Sequence, residues 1–172
     1  VFKDSFGIIW IGTDNGINKI DPSKQQFLQY KASQHSPNSS DNTWSFWEND
    51  SLFLSGYDNG LQIIKKSNST HYWVPFNGLI LDIVNFNDTI LVGTSKGVYS
   101  LASNDSSYRI DSLFFDISHK GNQDVVFKFF KTKNKLLIGS LNYLSLYNEK
   151  LVLKKRWKLK NVRDFTELND EI

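Results

Sequence analysis

Short apolar runs, rich in β-branched and aromatic residues and bounded by Asn, Asp, Gly or Ser, follow one another along the whole chain, and none keeps helical spacing. Four times such a run leads into a glycine: IIWIGTDNG at 8–16, LFLSGYDNG at 52–60, TILVGTSKG at 89–97 and, more weakly, KLLIGSLNY at 135–143. The glycines inside these runs, Gly12, Gly56, Gly93 and Gly139, are 44, 37 and 46 residues apart. That spacing is the length of one four-stranded propeller blade, ~40–45 residues.

The remainder of each repeat divides into strands in the same way. The first copy predicts strands over 8–13, 17–20 and 27–30, with Asp21-Pro22 breaking the chain before the last of them. The second predicts an inner strand over 42–48, then 52–56, 61–65 and 70–76. The third predicts 79–86, 89–94, 98–102 and 107–113, and the fourth 124–131, 135–140, 144–148 and 151–159. The units so defined are 1–41, 42–78, 79–123 and 124–161, and 162–168 reads as one more inner strand. The fold class is therefore all-β, a propeller of about four blades. Gly16, Gly60 and Gly97 are expected to close turns that need a positive φ. The glycines within strands are expected at bulges or close backbone approaches.

Composition narrows the function classes. Hydrophobic residues make up 40% of the 172 residues and aromatics 15%, enough for a core, and the net charge of +2 gives no footprint for nucleic acid. The absence of cysteine removes disulfides, thiolate metal sites and thiol nucleophiles. His35, His71 and His119 have no ligand spacing, and no phosphate-binding loop or nucleophile elbow occurs. Asp14-Asn15-Gly16 and Asp58-Asn59-Gly60 begin like calcium loops but lack the closing Glu, so they read as turns. No cofactor is expected.

The first repeat, FKDSFGIIWIGTDNGINKIDPSKQQFLQY, resembles the two-component regulator propeller repeat through Asp4, Gly7, Ile9, Trp10, Ile11, Gly12, Thr13, Gly16, Asp21, Pro22, Phe27 and Tyr30. Trp10 is replaced by Leu54, Leu91 and Leu137 in the later copies, where the likeness is looser. The resemblance implies a piece of the periplasmic sensor of a hybrid two-component histidine kinase. Such a sensor recognises a carbohydrate and signals across the membrane to control transcription of glycan-utilisation genes. It further implies that this segment is not itself an enzyme, that the kinase and the membrane anchor belong to other parts of the parent, and that the segment is cut from a longer run of blades. Two geometries stay open: an arc with free edges, prone to self-association, or a closed ring of four in which 162–168 completes the first blade.

The b–c turns and d–a connectors gather at one rim of a propeller. There the candidate ligand-binding residues are Asn15, Asn59 and Lys96 from the turns, and Asn42, Trp44, Asn77, His119 and Asn122 from the connectors. Amides fork to vicinal hydroxyls and an indole offers a flat face to the C–H side of a sugar ring, so an oligosaccharide or other small molecule is the expected ligand. Glu48, Asp50, Asp82 and Asp116 are the carboxylates that a lyase or hydrolase would need, and a protein-interaction scaffold is the third reading. The basic run LVLKKRWKLK at 151–160 reads as a protected outer edge or an anion contact.

Overall fold

The computed structural model describes residues 1–24, 26–31, 41–104, 107–115, 118–119 and 122–166, and among them every regular element is a strand. The first sheet is β1 (Phe2–Lys3), β2 (Ile9–Thr13), β3 (Gly16–Asp21) and β4 (Gln26–Tyr30). The second is β5 (Thr43–Glu48), β6 (Leu52–Tyr57), β7 (Gly60–Lys65) and β8 (Thr70–Pro75). The third is β9 (Ile80–Phe86), β10 (Thr89–Thr94), β11 (Gly97–Ser103) and β12 (Tyr108–Phe115). A two-residue hairpin, β13 (Ser118–His119) with β14 (Asn122–Gln123), occupies the connector to the fourth sheet. That sheet is β15 (Val126–Lys131), β16 (Lys135–Ser140), β17 (Leu144–Asn148) and β18 (Leu153–Trp157). Each four-stranded sheet is an antiparallel meander in chain order, the blade of a β-propeller.

Strand alternation gives each blade a front, turned to the next blade, and a rear. Trp10 and Ile17 on the front of the first meet Phe53 and Tyr57 on the rear of the second. Leu54, Leu61, Ile63 and Val74 on the second front meet Ile80, Ile83 and Val92, and Leu91, Val98 and Phe86 of the third meet Val126, Phe129, Leu136, Ile138 and Tyr147. Each fully buried side chain in these layers contributes about 1.5–3 kcal/mol. No core cluster among the described residues joins the fourth blade back to the first.

The strand glycines sit where neighbouring inner strands approach. A Cβ on Gly12 would meet Phe46 and Thr43, one on Gly56 Ile80, one on Gly93 Val126 and Phe129, and one on Gly139 Val162 and Phe165. Val162 and Phe165 thus lie against the fourth blade at Gly139, and residues 162–166 belong to no sheet. In the first blade β2 pairs with β1 at Trp10 and Ile9. Among the turn glycines, Gly16 and Gly97 have φ of 107° and 111°, as expected. Gly60 does not share that conformation. A Cβ there would lie 2.7 Å from both Trp73 Cε2 and the Val74 carbonyl oxygen, so crowding rather than a positive φ calls for glycine.

Candidate ligand-binding site

The inner strands carry a repeated irregularity. In the second blade Thr43 faces Tyr57 and Ser45 faces Gly56, leaving Trp44 as an extra residue. In the third, Ile80 faces Thr94 and Asp82 faces Gly93, leaving Leu81; in the fourth, Val126 faces Ser140 and Lys128 faces Gly139, leaving Phe127. A bulge of this kind inserts one unpaired residue and re-aims its side chain. All three extra residues, together with Leu79, Val125 and Arg163, line a cavity of about 370 Å³ where the inner strands converge. Arg163 holds the corresponding place after Val162, and its guanidinium lies 4.7 Å from the Phe127 ring centroid.

Polar groups hold this lining in place. The Trp44 indole, 52% exposed, donates from Nε1 to Asp58 Oδ1 at 2.5 Å, and Asn42 Nδ2 donates to Asp58 Oδ2 at 2.8 Å. Two blades on, Asp124 is buried and accepts from Ser140 Oγ at 2.5 Å, Asn142 N at 3.0 Å and Asn142 Nδ2 at 2.8 Å. Leu79 N donates to Ser95 Oγ at 3.0 Å, which fixes the start of the third inner strand. The lining is therefore apolar and aromatic with one guanidinium, that of Arg163, and Asp58 and Asn42 hold the Trp44 indole from outside it.

Of the sequence-predicted rim, the structure brings Asn42 and Trp44 together through Asp58. Asn15 is an exposed turn residue whose Oδ1 accepts from Lys31 Nζ at 3.2 Å. Asn59 is half-buried and its carbonyl accepts from Phe76 N at 3.0 Å. Lys96 is exposed with its N–H on Thr94 Oγ1, and Asn77 is exposed in the connector before the third blade. None of these four lines the cavity. His119 and Asn122 face each other across the β13–β14 hairpin, and their side chains lie outside the described residues, as do His35 and Asp116. Leu81, Phe127 and Arg163 are absent from the sequence-derived rim, although the apolar pairs Ile80/Ile83, Val126/Phe129 and Val162/Phe165 carry a signal for them. A three-residue interval in a strand marks one extra residue.

A second cavity, about 360 Å³, lies between the first two blades, lined by Asp4, Phe6, Trp10, Glu48, Lys66 and His71 among others. The polar groups just named are already engaged. Asp4 accepts from Trp10 Nε1 at 2.9 Å and from two backbone N–H groups, and Glu48 accepts from Lys66 Nζ at 2.5 Å and Ser5 N at 2.9 Å. His71 Nδ1 lies 3.4 Å from Gln62 Nε2. This is a seam between blades. The basic run forms the outer strand β18, where Arg156 turns inward to Ser145 Oγ at 3.1 Å and stacks on Tyr143.

Asp82 links the third and fourth inner strands, accepting from Phe129 N at 2.7 Å and Lys128 Nζ at 3.1 Å. Burial raises its carboxyl pKa above the ordinary 3.8, against the opposing pull of Lys128 and the backbone N–H. The folded state then holds this proton more tightly than the unfolded chain, so the carboxyl's contribution to stability falls as pH rises from 3.8 through the raised value. Urea titrations across that range are expected to show the negative slope, Asp82→Asn to flatten it, and Lys128→Met to carry it to higher pH. An unchanged slope in Asp82→Asn would contradict this assignment. Among the described residues no group of His, Asp and Glu is placed to hold a metal ion, and no helix is long and apolar enough to cross a membrane.

No protein-family model matches the chain, and no curated protein matches it. Solved structures do. The extracellular domain of the hybrid two component system BT3049 from B. thetaiotaomicron aligns with a TM-score of 0.68 and 20% identity over 95% of this chain and 22% of its own. The extracellular domain of the one component system BT4673 from the same organism aligns at 0.63 and 20% identity, over 80% of this chain and 20% of its own. The computationally designed Ika8 protein aligns at 0.66 and 12% identity, over 97% of this chain and 52% of its own. The chain thus spans about a fifth of the two extracellular domains and about half of the designed protein. At these identities the likeness is one of fold.

Proposed function

We propose that this chain is a non-catalytic, ligand-sensing segment of a periplasmic sensor, and that a carbohydrate enters the cavity at the converging inner strands. The observation that carries the reading is the bulge-built lining. Trp44 and Phe127 offer ring faces to the apolar side of a pyranose, and Asn42, Asp58 and Arg163 are polar groups at or beside the cavity. The fold shared with extracellular domains of bacterial signalling systems supports the sensor role, and the sequence resemblance points to a hybrid histidine kinase as the parent. In that parent, ligand binding favours one arrangement of the sensor over another and so sets kinase output and transcription of glycan-utilisation genes.

Calorimetric titration against an oligosaccharide panel, with product analysis on the same samples, tests the proposal. Saturable binding without turnover is expected, weakened about tenfold or more in Trp44→Ala through loss of a stacked ring. Turnover that disappears when a carboxylate is replaced would make the chain a lyase or hydrolase instead. Binding that Trp44→Ala leaves intact would place the ligand elsewhere.

A further inference from the structure

Charge is unevenly shared among the blades. Residues 124–163, the fourth blade and the segment after it, carry 11 Lys or Arg against 2 Asp or Glu, whereas residues 1–123 carry 9 against 12. The local balance is therefore +9 beside −3, inside a chain whose net charge is only +2. Of the two acids Asp124 is buried, which leaves the basic side chains to dominate the surface of this blade.

Four of the lysines meet at one end of it. The β15–β16 turn presents Lys133 and Lys135, the β17–β18 turn presents Lys150, and Lys154 follows on the outer strand; all four are exposed. In an antiparallel meander these two turns share an end. Lys154 is an extra residue, since Tyr147 faces Leu153 and Leu146 faces Lys155, and such a bulge re-aims its side chain. Beside it stand Val152, 52% exposed, and Leu153, 43% exposed. Among the described residues none of the four lysines takes part in an ion pair.

This end of a blade stays open whatever stacks on its faces. The second and third blades have neighbours on both sides, yet their matching turns, 49–51 and 67–69 in the one and 87–88 and 103–104 in the other, are exposed. Those turns carry Asp50 and Asp88 and no Lys or Arg. Protection of an edge does not account for the lysines either. The outer strands β4 and β8 carry no Lys or Arg, and Arg109 of β12 is paired with Asp111 at 3.2 Å.

We propose that this end of the fourth blade docks on the surface of an anionic phospholipid bilayer, with the four lysines among the headgroups and Val152 and Leu153 at the acyl boundary. Two features favour a bilayer over a polyanionic chain. Lysine is a compact point charge that suits a fluid array of phosphates, whereas a fixed sulfate, carboxylate or phosphate calls for the arginine fork. The one arginine of β18, Arg156, turns away to Ser145 and Tyr143. Exposed aliphatic side chains beside the cations gain nothing from a polysaccharide or nucleic acid, but leave water at the acyl boundary. Val125 and Phe127 of the cavity stand at the start of β15 and these lysines beyond its end, so the two sites lie at opposite ends of the blade. The docking is independent of the sensor reading.

Co-sedimentation with vesicles tests it. At low ionic strength the chain is expected to pellet with vesicles of phosphatidylcholine containing about one-third phosphatidylglycerol, and to stay in solution with phosphatidylcholine alone. The association should fade at ~0.5 M salt. Each lysine at such a surface is worth about fivefold in partitioning, so Lys133→Gln/Lys154→Gln should weaken it about thirtyfold. Lys3→Gln/Lys24→Gln removes the same charge from exposed positions of the first blade and should leave it within about twofold. Val152→Ser/Leu153→Ser should weaken it severalfold, and circular dichroism checks that each variant folds. The proposal is overturned by no pelleting with the anionic vesicles, by equal pelleting with neutral ones, or by equal losses in the two lysine pairs. It is also overturned if Val152→Ser/Leu153→Ser binds like the wild type, because the face then attracts any polyanion, an acidic polysaccharide or nucleic acid included, by charge alone.

Discussion

Alanine at position 56 is expected to lower the unfolding free energy by about 3 kcal/mol, while alanine at position 12 costs about 1 kcal/mol or less. Both glycines sit at the same place in their blades, yet their surroundings differ. A Cβ at 56 would lie 2.5 Å from Ile80 Cγ2, 2.7 Å from the Ile80 carbonyl oxygen and closer still to Ser45 Oγ. Backbone cannot step aside there, because Ser45 Oγ donates to that same carbonyl at 3.1 Å and so ties the two inner strands together. At position 12 the contacts are looser, Phe46 Cζ at 3.1 Å and both Thr43 Cβ and the Thr43 carbonyl oxygen at 3.3 Å, so a shift of a few tenths of an ångström accommodates the methyl. Urea denaturation of the two variants beside the wild type measures the difference. Equal losses would mean that close approach of inner strands is not what the strand glycine serves.

Asp4→Ala should be nearly as damaging, at about 3 kcal/mol, although the residue lies in a turn. Its carboxylate is buried and accepts from Phe6 N at 3.0 Å, Ile8 N at 2.9 Å and Trp10 Nε1 at 2.9 Å. Removing it strands an indole N–H and two backbone donors beneath the Trp10–Phe53 stack, whose centroids are 4.6 Å apart. Asp4→Asn should recover only part of the loss, since an amide oxygen is a weaker acceptor and the added NH₂ faces donors. Asp21 offers the control. It binds Ser23 N and Oγ in an exposed turn, and Asp21→Ala should scarcely move the unfolding midpoint. If the two alanine variants unfold alike, Asp4 is not the anchor of the first blade.

The role of Asp4 also explains why the sequence is most legible where it is. An acidic residue six positions before the strand tryptophan is a spacing that suits a local side-chain hydrogen bond, and here Asp4 makes it to Trp10. The blades were readable for a similar reason: apolar runs, turn residues and crowded glycines leave a periodic trace. The cavity left a fainter one. Bulges at Trp44, Leu81 and Phe127 interrupt the two-residue alternation that assigns sides to a strand, so the residues turned to the cavity are those that alternation misplaces. Trp44 drew notice by being an indole at a connector; Leu81 and Phe127 read as ordinary core residues. Turn amides such as Asn15 and Asn77 drew notice by type, and neither lines the cavity.

Among the described residues each core cluster joins only blades adjacent in sequence, and this makes the molecule a one-dimensional series of coupled units. The second and third blades are gripped on both sides, the first and fourth on one. Spontaneous opening should therefore begin by fraying from the termini inward, with amide protons of β6 and β10 the last to exchange. A mutation in either outer blade would be felt mainly as a shorter cooperative stretch, whereas one between the middle pair would split the series in two.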